Sequence, residues 1–250
     1  MRALAIKLKP ASGFSHFIHI LLTLLLPGLV YVFIRMSFYP LAITLIVLSK
    51  WRMFAVKPRY WPANIRANAV DLSVGISTVL FMSLTRDASW QIVWAMLYAG
   101  WLLFIKPKSG LLMVTLQAVI GQLFGLVSLF LALGESPTIV LTLGAWTVCY
   151  LSARHFLTSF DEEHSSLFAH TWGYFAAALT WILSHWMLFY GGFFAQPALL
   201  LSVIGFSLAG LYYLDETDRL SPGLRRQFVF VMIAVVLVVM IFSDWGDKVV

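Results

Sequence analysis

Nine apolar stretches, most of them close to 20 residues long, follow one another along this chain and limit its fold more than any other feature. Hydrocarbon offers no hydrogen-bond partner to the backbone, so about 20 apolar residues in a helix are needed to cross a bilayer core of ~30 Å. The sequence therefore predicts an all-α bundle of about nine transmembrane helices, in a single domain over residues 1–250. The predicted spans are 14–34, 37–55, 68–85, 88–105, 110–134, 137–153, 167–190, 194–213 and 227–243.

The composition excludes a soluble globular protein. Apolar residues make up 61% of the chain and charged residues 11%, whereas a soluble domain carries about 25% charged residues. The net charge of +6 does not indicate a nucleic-acid partner, because the basic residues separate apolar runs instead of forming a patch. The predicted partner is the lipid bilayer of a cell membrane, the cytoplasmic or inner membrane if the source is bacterial.

The distribution of Lys and Arg predicts the orientation. With a cytoplasmic N-terminus and an outside C-terminus, all but three of the 17 basic residues lie on the cytoplasmic side, where such residues are enriched. The exceptions are Arg35, Arg86 and Lys248. The weakest span, 37–55, is kept because omitting it would move a strongly basic loop outside; the side chains of Lys50 and Arg52 are expected to reach toward the interface.

The most polar stretch, from Arg154 to His170, joins the sixth and seventh predicted spans. Imidazole and carboxylate groups at this density can ligate Zn²⁺, Mn²⁺ or Fe²⁺, or relay protons. Their spacing matches no recognised metal motif, and a solvated loop with acids near the start of a helix is the favoured interpretation over a metal site. The candidate metal ligands are His155, Asp161, Glu162, His164 and His170. The sequence assigns no cofactor.

Polar residues within spans usually face the bundle interior, where they join helices or line a path. Gln117 and Gln122 of the fifth span and His185 near the outer end of the seventh are therefore candidate pathway-lining residues. Asp71 is expected to pair with Arg66 near the interface, and no charge is expected at the centre of the bilayer.

Two pairs of small residues four positions apart indicate close helix packing. Gly121 and Gly125 form one pair, and Gly205 and Ala209 form the other. We expect both to pack helices of the same chain instead of forming a dimer interface, since a large bundle has many internal contacts.

Three classes of function remain open, because no phosphate-binding loop, dinucleotide motif or nucleophile elbow is present. Nine spans with little mass outside the membrane favour transport, with a permease-like protein for a small solute as the first hypothesis. The second is a structural or assembly subunit that docks other membrane subunits. The third is a membrane-embedded enzyme that uses the polar cluster on lipid-type substrates at the cytoplasmic face.

Overall fold

The computed structural model describes residues 13–243, except the side chains of residues 14–16 and 19, and within that range nine α-helices follow one another. The all-α prediction is confirmed. The helices are α1 Phe14–Arg35, α2 Tyr39–Leu48, α3 Trp61–Leu84, α4 Ala88–Gly100, α5 Leu111–Leu133, α6 Thr138–Thr158, α7 Ser165–Leu183, α8 Gln196–Glu216 and α9 Pro222–Ile241. Both chain termini and Lys248 lie outside the described residues.

The outer surface of the bundle is apolar. Large apolar side chains are exposed on every described helix, which a soluble monomer rarely allows. Within the described residues, five segments are long and apolar enough to cross a membrane by length and composition. They are Pro58–Leu84, Ala88–Ile105, Leu111–Leu133, Gln196–Glu216 and Pro222–Ile241. These helices are compatible with a membrane location.

A short antiparallel hairpin, β1 Phe189–Tyr190 and β2 Phe194–Ala195, joins α7 to α8. The predicted seventh span therefore ends early, at Leu183 instead of residue 190. The turn holds Gly191 and Gly192 at φ +60° and +70°, a region that glycine adopts without strain. We call this the hairpin end of the bundle, and the end with loops 54–60, 106–110, 159–164 and 217–221 the polar end.

Helix α2 is much shorter than the predicted second span. Its ten residues cover about 15 Å, half of a bilayer core. The chain nevertheless continues along α3 toward the polar end. Successive contacts pair Ile46 with Gly75, Met53 with Asn64, and Val56 with Trp61. The positions on α3 are 14 residues apart, about 21 Å along its axis, so residues 46–56 run antiparallel to α3 as a helix followed by irregular backbone.

A buried carboxylate lies beside that break. Asp71 is about 15 Å along α3 from its first residue, near the middle of the helix. Asp71 Oδ2 contacts Lys50 Nζ and lies 2.8 Å from Lys106 Nζ, and Asp71 Oδ1 accepts a hydrogen bond from Trp101 Nε1 at 2.9 Å. Trp101 opens a π-helical turn, Trp101–Ile105, that extends α4. One carboxylate thus joins α2, α3 and α4.

Two expectations about these charges are wrong. Asp71 does not pair with Arg66, because residues five positions apart lie about 140° apart around a helix; Arg66 Nε instead donates to Pro62 O at 3.3 Å. Lys50 does not reach outward; its side chain is buried against Asp71. Asp71 lies near the middle of α3, because this helix begins at Trp61 and not at residue 68.

We predict that Asp71→Asn lowers the free energy of unfolding by about 3–5 kcal/mol, because Lys50 is left buried without a carboxylate. Denaturant titration in detergent micelles measures this. Lys106→Gln is expected to cost less than about 1 kcal/mol, since the Lys106 side chain is 37% exposed. The apolar double variant Lys50→Met with Asp71→Leu should recover most of the loss. Wild-type stability in Asp71→Asn would contradict a structural role.

Candidate functional site

The buried amide of Gln122 holds three helices together. On α5, Gln122 Nε2 donates to Leu201 O of α8 at 2.9 Å, and Gln122 Oε1 accepts from Trp172 Nε1 of α7 at 3.0 Å. Gly205 of α8 makes room for this amide, because a Cβ at Gly205 would overlap Gln122 Nε2. The side chain therefore fixes the spacing of α5, α7 and α8.

A cavity of about 340 Å³ lies next to this amide, between α5, α6, α7 and α8. We call it the α5–α8 groove. It extends along α8 from Ser202 to Tyr212, about 15 Å. Its walls are mostly apolar and aromatic, with Phe156, Leu157, Phe168, Trp172, Phe206 and Ala209 among them. Its volume falls within the ~300–1,000 Å³ common for small-molecule sites.

The groove borders the outside of the bundle. Phe168 of α7 and Phe206 of α8 both line it, and they are 46% and 51% exposed. At the end of the groove closest to the start of α8, Ser202 Oγ is buried and has no hydrogen-bond partner among the described residues. The groove thus combines an apolar side opening with a small number of polar atoms deep inside, an arrangement that suits a bound ligand.

A carboxylate lies beside the Tyr212 end of the groove, which we call its near end. Tyr212 of α8 donates from its OH to Oε2 of Glu162, in the α6–α7 loop, at 2.5 Å. This hydrogen bond, together with one from the backbone N–H of His164, lowers the pKa of Glu162 below its ordinary value. The rings of Phe156 and Phe160 pack edge-to-face with the Tyr212 ring, at centroid distances of 5.5 and 5.3 Å. Glu162 is therefore ionised at neutral pH beside a cluster of three aromatic rings.

The five candidate metal ligands are not gathered into one cluster. His155 Nε2 lies 3.2 Å from Gln117 Oε1, and His170 Nδ1 lies 2.7 Å from Ser166 O, with its ring 4.6 Å from that of Tyr150. Asp161 and His164 are exposed in the loop, and Glu162 accepts from Tyr212. No three His, Cys, Asp or Glu side chains in the described part of the chain are placed to hold a metal. The metal site stays a prediction.

The three candidate pathway residues do not meet. Gln117 Nε2 donates to the carbonyls of Ile105 and Lys108, both at 2.9 Å, so this side chain caps the end of α4. His185 lies in the Ser184–Trp186 turn, about 20 Å along the axis of α7 from Trp172, the residue of α7 that bonds Gln122. Of the three, Gln122 lines the groove.

The four small residues lie against neighbours of the same chain. Gly121 faces Val70 of α3, where a Cβ would come within 2.7 Å of Val70 Cγ1, and Gly125 faces Ser73 and Val148. Gly205 faces Gln122, and Ala209 lines the groove.

Sequence reasoning did not single out Tyr212, Trp172 or Ser202. The small pair on α8 was a usable signal, because Gly205 and Ala209 leave space that larger side chains would fill. Trp172 on a helix of spanning length also needed an acceptor for its indole N–H, and a buried glutamine was one of the available acceptors.

Comparison with models of protein families, with curated proteins and with solved structures finds no match for this chain.

We predict that Gly205→Ala lowers the free energy of unfolding by about 1–3 kcal/mol, because the new Cβ displaces the Gln122 amide from its two partners. Thermal unfolding in detergent measures the change. Gly28→Ala is the matched control: no heavy atom lies within 4 Å of its added Cβ, so it should be neutral or slightly stabilising. Equal effects of the two substitutions would contradict the role assigned to Gln122.

Proposed function

We propose that this protein is a nine-span membrane protein of the transport class, which takes a small apolar or amphiphilic molecule into the α5–α8 groove. The observation that carries the proposal is the cavity of about 340 Å³ with aromatic walls and an exposed side. A ligand of this kind enters sideways from the lipid and gains from burying apolar surface, at roughly 25 cal/mol per Å².

The same residues favour an apolar ligand over a polar solute. Both hydrogen-bonding atoms of the Gln122 amide are engaged with protein partners, and Gln117 is engaged in the same way. A path for a polar solute needs free donors and acceptors along its length. The polar side chains without a partner in the groove wall are small hydroxyls such as that of Ser202, which suits a mostly apolar molecule.

The proposed orientation puts the polar end of the bundle in the cytoplasm and the hairpin end outside. Its support is the positive-inside rule, since all but three of the 17 Lys and Arg residues then lie inside. The antiparallel course of residues 46–56 along α3 supports a second crossing formed by a short helix and irregular backbone, in which Lys50 and Met53 are buried. The groove then opens in the cytoplasmic half of the membrane.

The other two classes, an assembly subunit and a membrane-embedded enzyme, gain no specific support from the described residues. Transport of an apolar or amphiphilic molecule is therefore the function we propose.

Cysteine labelling tests the orientation. In a Cys149→Ala background, Glu135→Cys should react with an impermeant thiol reagent added to intact cells, and Ser109→Cys should not. Both positions are exposed, and they lie just beyond opposite ends of α5. Ser109→Cys should react once the cells are opened. The reverse pattern would overturn the orientation and leave the fold unaffected.

Photolabelling tests the groove. A small neutral aryl diazirine added to the purified protein in nanodiscs should label residues 202–212 of α8. Ala209→Phe fills the groove and is expected to reduce this labelling about tenfold, which corresponds to ~1.4 kcal/mol of binding. Ala178→Phe adds the same side chain at an exposed position on α7 and should change nothing. Labelling of α9, which faces outward along its length, serves as the lipid-exposed reference.

If Ala209→Phe and Ala178→Phe give the same labelling of α8, the probe is reading lipid exposure and the proposed function fails.

A further inference from the structure

We propose that the α5–α8 groove selects lipophilic cations: compact aromatic or apolar molecules that carry a positive charge, which lies beside Glu162 and Tyr212 while the apolar body extends toward Gln122. This inference rests on the proposed function and names the chemical class of its ligand.

The first support is the charge around the near end of the groove. Two segments meet there, residues 159–164 between α6 and α7 and residues 212–216 at the end of α8, joined by the Tyr212–Glu162 hydrogen bond and by the Phe160–Tyr213 ring contact. Together they hold acids and no Lys or Arg. The acids are Asp161, Glu162, Glu163, Asp215 and Glu216. These are five of the chain's 11 acids, so this end of the groove attracts cations.

The second support is the absence of basic side chains from the groove wall. Arg154, two residues before Phe156 on α6, donates from Nη1 to Ser165 Oγ at 2.6 Å. Arg219, just beyond the acidic end of α8, does not line the groove. None of the residues that line the groove is basic. The carboxylate of Glu162 therefore faces a ligand without a competing ammonium or guanidinium group in the groove wall.

The third support is the aromatic cluster. Phe156 and Tyr212 line the groove, Tyr212 also bonds Glu162, and Phe160 packs against both rings, with ring centroids 4.9–5.5 Å apart. The negative face of an aromatic ring attracts a cation. A cation at this position contacts rings and a carboxylate together and keeps part of its hydration, since Glu162 lies in the loop outside the helices.

Charge also argues against an anionic occupant. A phospholipid in the groove would bring its phosphate next to Glu162 and the neighbouring acids, and like charges at short range oppose binding. A neutral molecule would fit the walls but would gain nothing from the acids.

The test uses two ions of nearly the same shape and opposite charge, tetraphenylphosphonium and tetraphenylborate. Each competes with the neutral aryl diazirine for labelling of residues 202–212, with the full chain in nanodiscs of zwitterionic lipid. Labelling of α9 corrects for the different partitioning of the two ions into lipid. We expect tetraphenylphosphonium to suppress the groove labelling at a concentration at least about tenfold lower than tetraphenylborate.

Variants test the assigned carboxylate. Glu162→Gln should weaken competition by tetraphenylphosphonium about tenfold, while labelling by the neutral diazirine reports that the groove still forms. Glu135→Gln, the same charge change at the hairpin end, should leave that competition unchanged.

Equal competition by the two ions, or a phospholipid held in the groove by native mass spectrometry, would overturn cation selectivity while the groove remains a binding site. An absence of groove labelling in the wild type would instead overturn the proposed function itself.

Discussion

One carboxylate organises the first half of this bundle. Asp71 is buried near the middle of α3, and its two oxygens engage Lys50 after α2, Lys106 after α4 and the indole of Trp101. A charge in a lipid-facing protein must be paired and turned inward, because hydrocarbon solvates it poorly. The apolar surface outside and the ionic contact inside therefore impose the same arrangement: the ends of α2 and α4 must approach α3 where Asp71 lies.

The second half is held differently. A neutral amide, Gln122, links α5, α7 and α8, and an amide costs less to bury than a charge. Beside it the packing leaves a groove, whereas the helices around Asp71 close on one another through residues such as Val74 and Tyr98. Gln117 connects the two halves, since it bonds the end of α4 and contacts His155 of α6. The closely packed helices around Asp71 are thus joined to a second group of helices that leaves space for a ligand.

The order and approximate bounds of the helices were predictable, because lipid requires long apolar segments and the loops between them carry charges, prolines and glycines. The partners of Asp71 were not, since Lys50 and Lys106 reach it only through the packing of α2 and α4 against α3. The groove was not predictable either. It needs the relative rotation of four helices, and its key contact joins Glu162 to Tyr212, 50 residues apart.

The brevity of α2 has a consequence for biogenesis. Ten helical residues followed by Lys50 and Arg52 are a poor segment for independent insertion, because they are too short for the hydrocarbon layer and carry cations at one end. Lys50 acquires its counter-ion only when Asp71, 21 residues later in synthesis, has entered beside it. We therefore expect α2 to be released into lipid together with α3, as a helical hairpin that is neutralised before it leaves the translocation machinery.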